Sequence, residues 1–150
     1  MKKNLLKTTF MVLCFAVFAA CGGNSDKTEA KSSGTVNEKD QSAITILTYA
    51  AQEANKQLQG QQLDEVTTFV SCGFENNCFT YRYMIDENLV SIEDLRAAKD
   101  EIKKVTYETL QNESDFVTGI QPHLQQLHSK LMYVYTGSQS EESMTIEYQY

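Results

Sequence analysis

Residues 131–150, LMYVYTGSQSEESMTIEYQY, hold the plainest strand pattern in the chain. Leu131, Tyr133 and Tyr135 alternate with Met132, Val134 and Thr136. After the polar stretch Gly137–Glu142, Met144, Ile146, Tyr148 and Tyr150 alternate with Thr145, Glu147 and Gln149. Apolar residues at period two mark a strand with one buried face. Two such runs around a Gly- and Ser-containing stretch predict a β-hairpin. A second hairpin is predicted upstream, with strands at Val66–Cys72 and Cys78–Ile85 and the loop Gly73–Asn77 between them. Phe79, Tyr81, Tyr83 and Ile85 form its apolar side. Placing Cys72 opposite Cys78 would set Phe69 opposite Tyr81, which keeps both aromatic rings on one face.

Helical periodicity fills the space around these hairpins. Ile44, Leu47, Ala51, Ala54 and Leu58 recur at three- and four-residue spacing, predicting a helix over Ser42–Leu58 with Gly60 as its stop. Ile92, Leu95, Ala98, Ile102 and Val105 predict a second over Ile92–Leu110, opened by a capping box of Ser91 and Asp94. Phe116, Val117, Ile120, Leu124 and Leu127 predict a third over Glu113–His128. Pro122 should kink or break it, because the ring removes an amide donor and clashes one turn back. The element order is therefore α-β-β-α-α-β-β. It predicts a single small α+β domain over residues 41–150, in which about four strands form one antiparallel sheet packed against helices.

The first 20 residues do not belong to that domain. Lys2, Lys3 and Lys7 make a positive start, and Phe10–Ala20 is an 11-residue run without charge. A membrane span needs about 20 apolar residues, so this is the length of a signal-peptide core. The run ends in Phe18-Ala19-Ala20-Cys21, which resembles the lipobox of bacterial lipoproteins; Phe18 stands where that motif usually has Leu. The resemblance implies cleavage after Ala20 and attachment of lipid to the Cys21 thiol. It places the mature protein in the bacterial envelope, anchored to a membrane without spanning it, and at the outer membrane where the envelope has one. Residues 21–40 then read as a flexible tether, too polar to fold. Residues 22–40 would reach roughly 25 Å as a flexible chain.

Composition narrows the function. Loss of residues 1–20 removes three lysines and no acid, taking the net charge from −7 to about −10. An acidic body disfavours nucleic acid and anionic lipid surfaces as partners. Cys72 and Cys78 flank the first hairpin turn in an oxidising compartment, and a disulfide between them is expected, with two unbridged thiols as the alternative. A redox or metal role lacks a C-x-x-C or a second cysteine pair. His123 and His128 lie about 140° apart on a regular helix and do not face one ligand. The acidic groups Asp86-Glu87, Glu93-Asp94, Glu113, Asp115 and Glu141-Glu142 do not form a calcium loop. No nucleophile motif, phosphate loop or dinucleotide fingerprint is present.

The two Y-x-Y strands, Tyr81-Arg82-Tyr83 and Tyr133-Val134-Tyr135, are similar in pattern to those of small envelope lipoproteins of unassigned function, including secretion-associated proteins and inhibitors. That likeness carries no functional residue. The expectation is a non-enzymatic binding or accessory module for another envelope component, with no cofactor and no metal. The alternative is a small hydrolase, or an enzyme inhibitor, displayed on the membrane.

Overall fold

The computed structural model of the chain describes residues 37–150. Helix α1 (Glu38–Leu58) begins four residues before the expected start, with Asn37 as its N-cap accepting from the Lys39 amide. Its buried side is built mainly of alanine: Ala43, Ala50, Ala51 and Ala54, with Leu47 among them. Small side chains let the helix backbone approach the sheet closely. Ile44, expected on the stripe, is only half-buried. Gly60, just past the helix, takes φ +78, where a Cβ would be strained.

Strands β1 (Thr67–Glu75) and β2 (Cys78–Ile85) form the first hairpin. Its turn is not the expected Gly73–Asn77 loop. Asn76 (φ 51) and Asn77 (φ 58) make a two-residue connection with both residues left-handed, the type I′ geometry that Asn tolerates and that matches strand twist. The strands thus run up to Glu75 and Cys78, which face each other. The register differs from expectation accordingly: Cys72 lies opposite Tyr81, and Phe69 opposite Tyr83. A bulge between Phe69 and Ser71 resets the alternation, so that Phe69 and Cys72 both face the core.

The expected second helix is two helices, α2 (Ile92–Ala97) and α3 (Lys99–Asn112), joined at Ala98 (φ −97, ψ 6). The Ser91–Asp94 capping box is present in both directions. The bend re-aims α3, so that Ile102, Thr106 and Leu110 are buried while Val105 is 44% exposed. Pro122 disrupts the third helix as expected. A π-helical turn (Phe116–Ile120) precedes α4 (Gln121–Gln126), and the Gln121 amide donates back to the Phe116 carbonyl. The wider turn lets the chain re-enter a helix with Pro122 in its first turn, where a missing amide costs little.

Strands β3 (Lys130–Gly137) and β4 (Ser143–Gln149) form the second hairpin, as predicted. The sheet order is β1-β2-β3-β4, and it is mixed rather than antiparallel: β2 and β3 run parallel. The helical segment between them acts as the crossover that a parallel pair requires. The parallel register sets Tyr81 beside Tyr133 and Tyr83 beside Tyr135. Their rings stack, with centroids 5.3 Å apart in each pair. This tyrosine layer, with Phe69, Phe79, Leu131 and Ile146, is the floor of one apolar core, and the helices supply Leu47, Leu95, Leu110, Phe116 and Leu124 above it.

Candidate interaction surface

Ala20 and Cys21, the expected cleavage and lipidation residues, lie outside the described residues. Cys72 and Cys78 are described, and no disulfide joins them. The register explains why: Cys72 is in the core opposite Tyr81, whereas Cys78 alternates with buried Phe79 and so stands on the other face. The expected bridge assumed that the two cysteines oppose each other, and the two-residue turn at Asn76–Asn77 removes that pairing.

Of the other candidate residues, Asp86, Glu87, Asp94 and Glu142 are occupied by structural tasks. Glu87 accepts from the amides of Gln139 (2.6 Å) and Ser140 (2.7 Å) and from the Ser140 hydroxyl (2.6 Å). Those bonds hold its carboxyl below the ordinary value, the Ser140 hydroxyl contributing most. Asp86 accepts from the Asn88 amide, and Glu142 pairs with Arg96 across 2.6 Å. His123 is half-buried in α4, while His128 is exposed beyond it at φ 49. Among the described residues no three His, Cys, Asp or Glu side chains converge to hold a metal ion. No helix among them is long and apolar enough to cross a membrane.

What remains is the sheet itself. All four strands turn one face to the helices. The opposite face has no covering layer among the described residues. Strand register arranges it as a grid. One row runs Thr68, Met84, Thr136 and Ser143; the next runs Ser71, Arg82, Val134 and Thr145; the third runs Gly73, Thr80, Met132 and Glu147. Arg82 stands near the middle, exposed, with no hydrogen bond or ion pair to any described residue. Met84 beside it is 45% exposed, and Met132 and Val134 are half-buried. The cation nearest the rim, Lys130, is instead paired with Glu147 at 3.1 Å.

The two edges of the sheet differ sharply. On β1 the outward backbone groups of Thr67, Phe69 and Cys72 are closed off. The Phe69 amide donates to the Gln61 carbonyl, and its carbonyl accepts from the Gly60 amide, both at 2.9 Å. Thr67 is held by Asp64 and Leu63. The Asn55 side chain, reaching from α1, both donates to the Cys72 carbonyl (2.8 Å) and accepts from its amide (2.6 Å). On β4 the ladder to β3 uses Met144, Ile146 and Tyr148, so the backbones of Thr145, Glu147 and Gln149 point outward. Among the described residues only Ser143 on that edge has a partner, its carbonyl accepting from Arg96.

Beside this edge is a cluster of tyrosines. Tyr107 of α3, 46% exposed, stacks on Tyr148 at 5.9 Å. The Tyr148 hydroxyl donates to the Lys103 carbonyl, and the Lys103 ammonium lies 5.6 Å over its ring. Burial pushes the phenols of Tyr148 and Tyr150 up to about 12. Alternation places Tyr81, Tyr83, Tyr133, Tyr135 and Tyr148 on strands, as observed, but does not single out Arg82 or Asn55. Alternation on β2 already put Arg82 on the face away from Tyr81. Asn55 had no sequence signal, since its role depends on where β1 lies.

No family model matches the chain, and no curated protein is significantly similar to it. In structure it is similar to a Pseudomonas aeruginosa protein assigned as secreted, whose crystal structure superposes with a TM-score of 0.60 at 14% sequence identity, over 75% of this chain and 94% of the other. At that identity the likeness shows a shared fold.

Proposed function

We propose that this chain is a lipid-anchored bacterial envelope protein whose domain binds another envelope component through the uncovered face of its sheet. The observation that carries the reading is Arg82, unpartnered among the described residues and set between Met84, Val134 and hydroxyl side chains. Arginine is among the residue types that dominate binding energy at interfaces, and methionine, also enriched there, adapts its shape to a partner. No convergent catalytic set competes for the role among the described residues. Anchoring at Cys21 is supported by the lipobox pattern, and an extracytoplasmic location by that pattern together with a fold shared with a protein assigned as secreted.

Site-specific photo-crosslinking in intact cells tests the reading. A photoreactive residue at Val134 should give a discrete adduct that Arg82→Glu abolishes. The same residue at Gln52, on the exposed side of α1, should give none. Equal adducts from both positions, or none from Val134, would count against the open face as the binding surface.

A further inference from the structure

We propose that the outer edge of β4 is a strand-addition site that takes an extended, cationic peptide segment of a partner polypeptide. The inference rests on the reading of this domain as a binding module, and it names the form in which the partner arrives.

Unpaired strand edges template pairing with other chains, and proteins usually shield them with proline, lysine, bulges or covering segments. Among the described residues, one edge is shielded from Thr67 to Cys72 and the other is left open. On β1, three successive outward residues, Thr67, Phe69 and Cys72, have both amide and carbonyl satisfied. On β4, Thr145, Glu147 and Gln149 offer three outward amides and three outward carbonyls with no partner among the described residues. The strand is seven residues long and contains no proline, glycine or lysine. Its edge is therefore straight and accessible, and an extended backbone meets those six groups in a single register.

Side chains define the two sides of the added strand. On the helix side, exposed Tyr107 stacked on Tyr148 offers an aromatic surface to an apolar residue. On the other side lie Thr145 and Glu147, facing every second residue of the incoming strand. Charge selects among occupants. Arg96–Glu142 and Lys130–Glu147 neutralise the edge locally, so the field of the whole domain decides. Residues 37–150 hold eight Lys and Arg against eighteen Asp and Glu, a net charge of −10. Two copies meeting edge to edge would each bring that charge, whereas a cationic segment is drawn to it.

Amide hydrogen exchange by NMR on the purified full chain in mild detergent tests this. The probe is a capped octapeptide alternating Lys and Val, with a Glu–Val peptide as its counterpart. The Lys–Val peptide should slow exchange at the Thr145, Glu147 and Gln149 amides, and the Glu–Val peptide should not. Thr145→Pro and Glu147→Pro each remove an outward amide that β3 does not use, so the ladder survives. Each should lower affinity for the Lys–Val peptide at least tenfold while the melting temperature shows that the fold is kept. Should either fail to fold, Glu147→Lys is the second variant, and it should lower affinity for the Lys–Val peptide. The proposal is overturned by no protection at the highest soluble peptide concentration, by protection that maps elsewhere, or by equal protection from both peptides. Protection that grows with protein concentration alone would give the edge to a second copy and also overturn it. None of these results alters the Val134 adduct, so failure here is separable from failure of the open-face reading.

Discussion

Asn55 is a single side chain standing in for a neighbouring strand. Its amide group satisfies both backbone groups of Cys72, which face away from β2. Removing a partner from a part-buried backbone pair leaves both groups short of hydrogen bonds, at about 1–3 kcal/mol per group. Asn55→Ala should therefore destabilise the domain by about 2 kcal/mol or more in urea unfolding, whereas Gln52→Ala, exposed on the same helix, should change little. The cysteines allow a direct chemical check. Alkylation without reductant should label Cys78 in the folded protein and both cysteines after unfolding; recovery of a Cys72–Cys78 cross-linked peptide would contradict the register. Three groups tie stability to pH. Glu87 is held below its ordinary value of 4.5, so its bonds to the β3–β4 turn contribute above that pH and are lost as pH falls through the lowered value. Glu87→Gln should flatten the acid limb of the melting curve. Tyr148 and Tyr150 behave in the opposite sense: both are raised from 10 to about 12, so the stability they confer as neutral phenols is complete below pH 10 and disappears on rising through 12. Replacing Tyr148 or Tyr150 by Phe should in each case remove a late-ionising component from the ultraviolet titration.

At the scale of elements, the sequence was most legible where a pattern is local. Both hairpin strand sets, the Ser91 cap, the Gly60 stop and the disruption at Pro122 follow from neighbouring residues. The misread features depend on backbone geometry that periodicity does not carry. Asn76-Asn77 was available as a two-residue I′ turn, yet Gly73 drew the loop boundary three residues too early, and the disulfide expectation inherited that shift. Ala98 is a good helix former, and only the need to bend α3 over β4 makes it a joint. Parallel pairing of β2 and β3 was hidden because alternation gives a strand's faces but not its neighbour's direction. The turn provides a stability test: Asn76→Val puts a β-branched residue at φ 51, at a cost of about 1–2 kcal/mol, while Asn76→Gly should be neutral or stabilising in the same urea measurement.

For the whole molecule, the asymmetry of the sheet organises the functional account. One face is spent on a tyrosine-floored core beneath the helices, and one edge is closed from Thr67 to Cys72 by α1 and residues 60–64. The opposite face, with Arg82 among methionine, valine and threonine, and the opposite edge, along β4, have no cover among the described residues and are the surfaces proposed for partners. Of this, only the composition of the open face could be read from the sequence, because face membership follows from period two; the difference between the edges needed the strand order. The setting of that surface rests on Cys21. A tether beginning there would hold the domain off a membrane with its binding surface facing other envelope components. Intact-mass and N-terminal peptide analysis of the protein isolated from bacterial membranes tests this most directly. The account predicts a chain that begins at Cys21 and carries diacylglycerol on its thiol, with Cys21→Ser leaving unlipidated protein. A chain that begins elsewhere, or an unmodified Cys21 in membrane-derived protein, would contradict it.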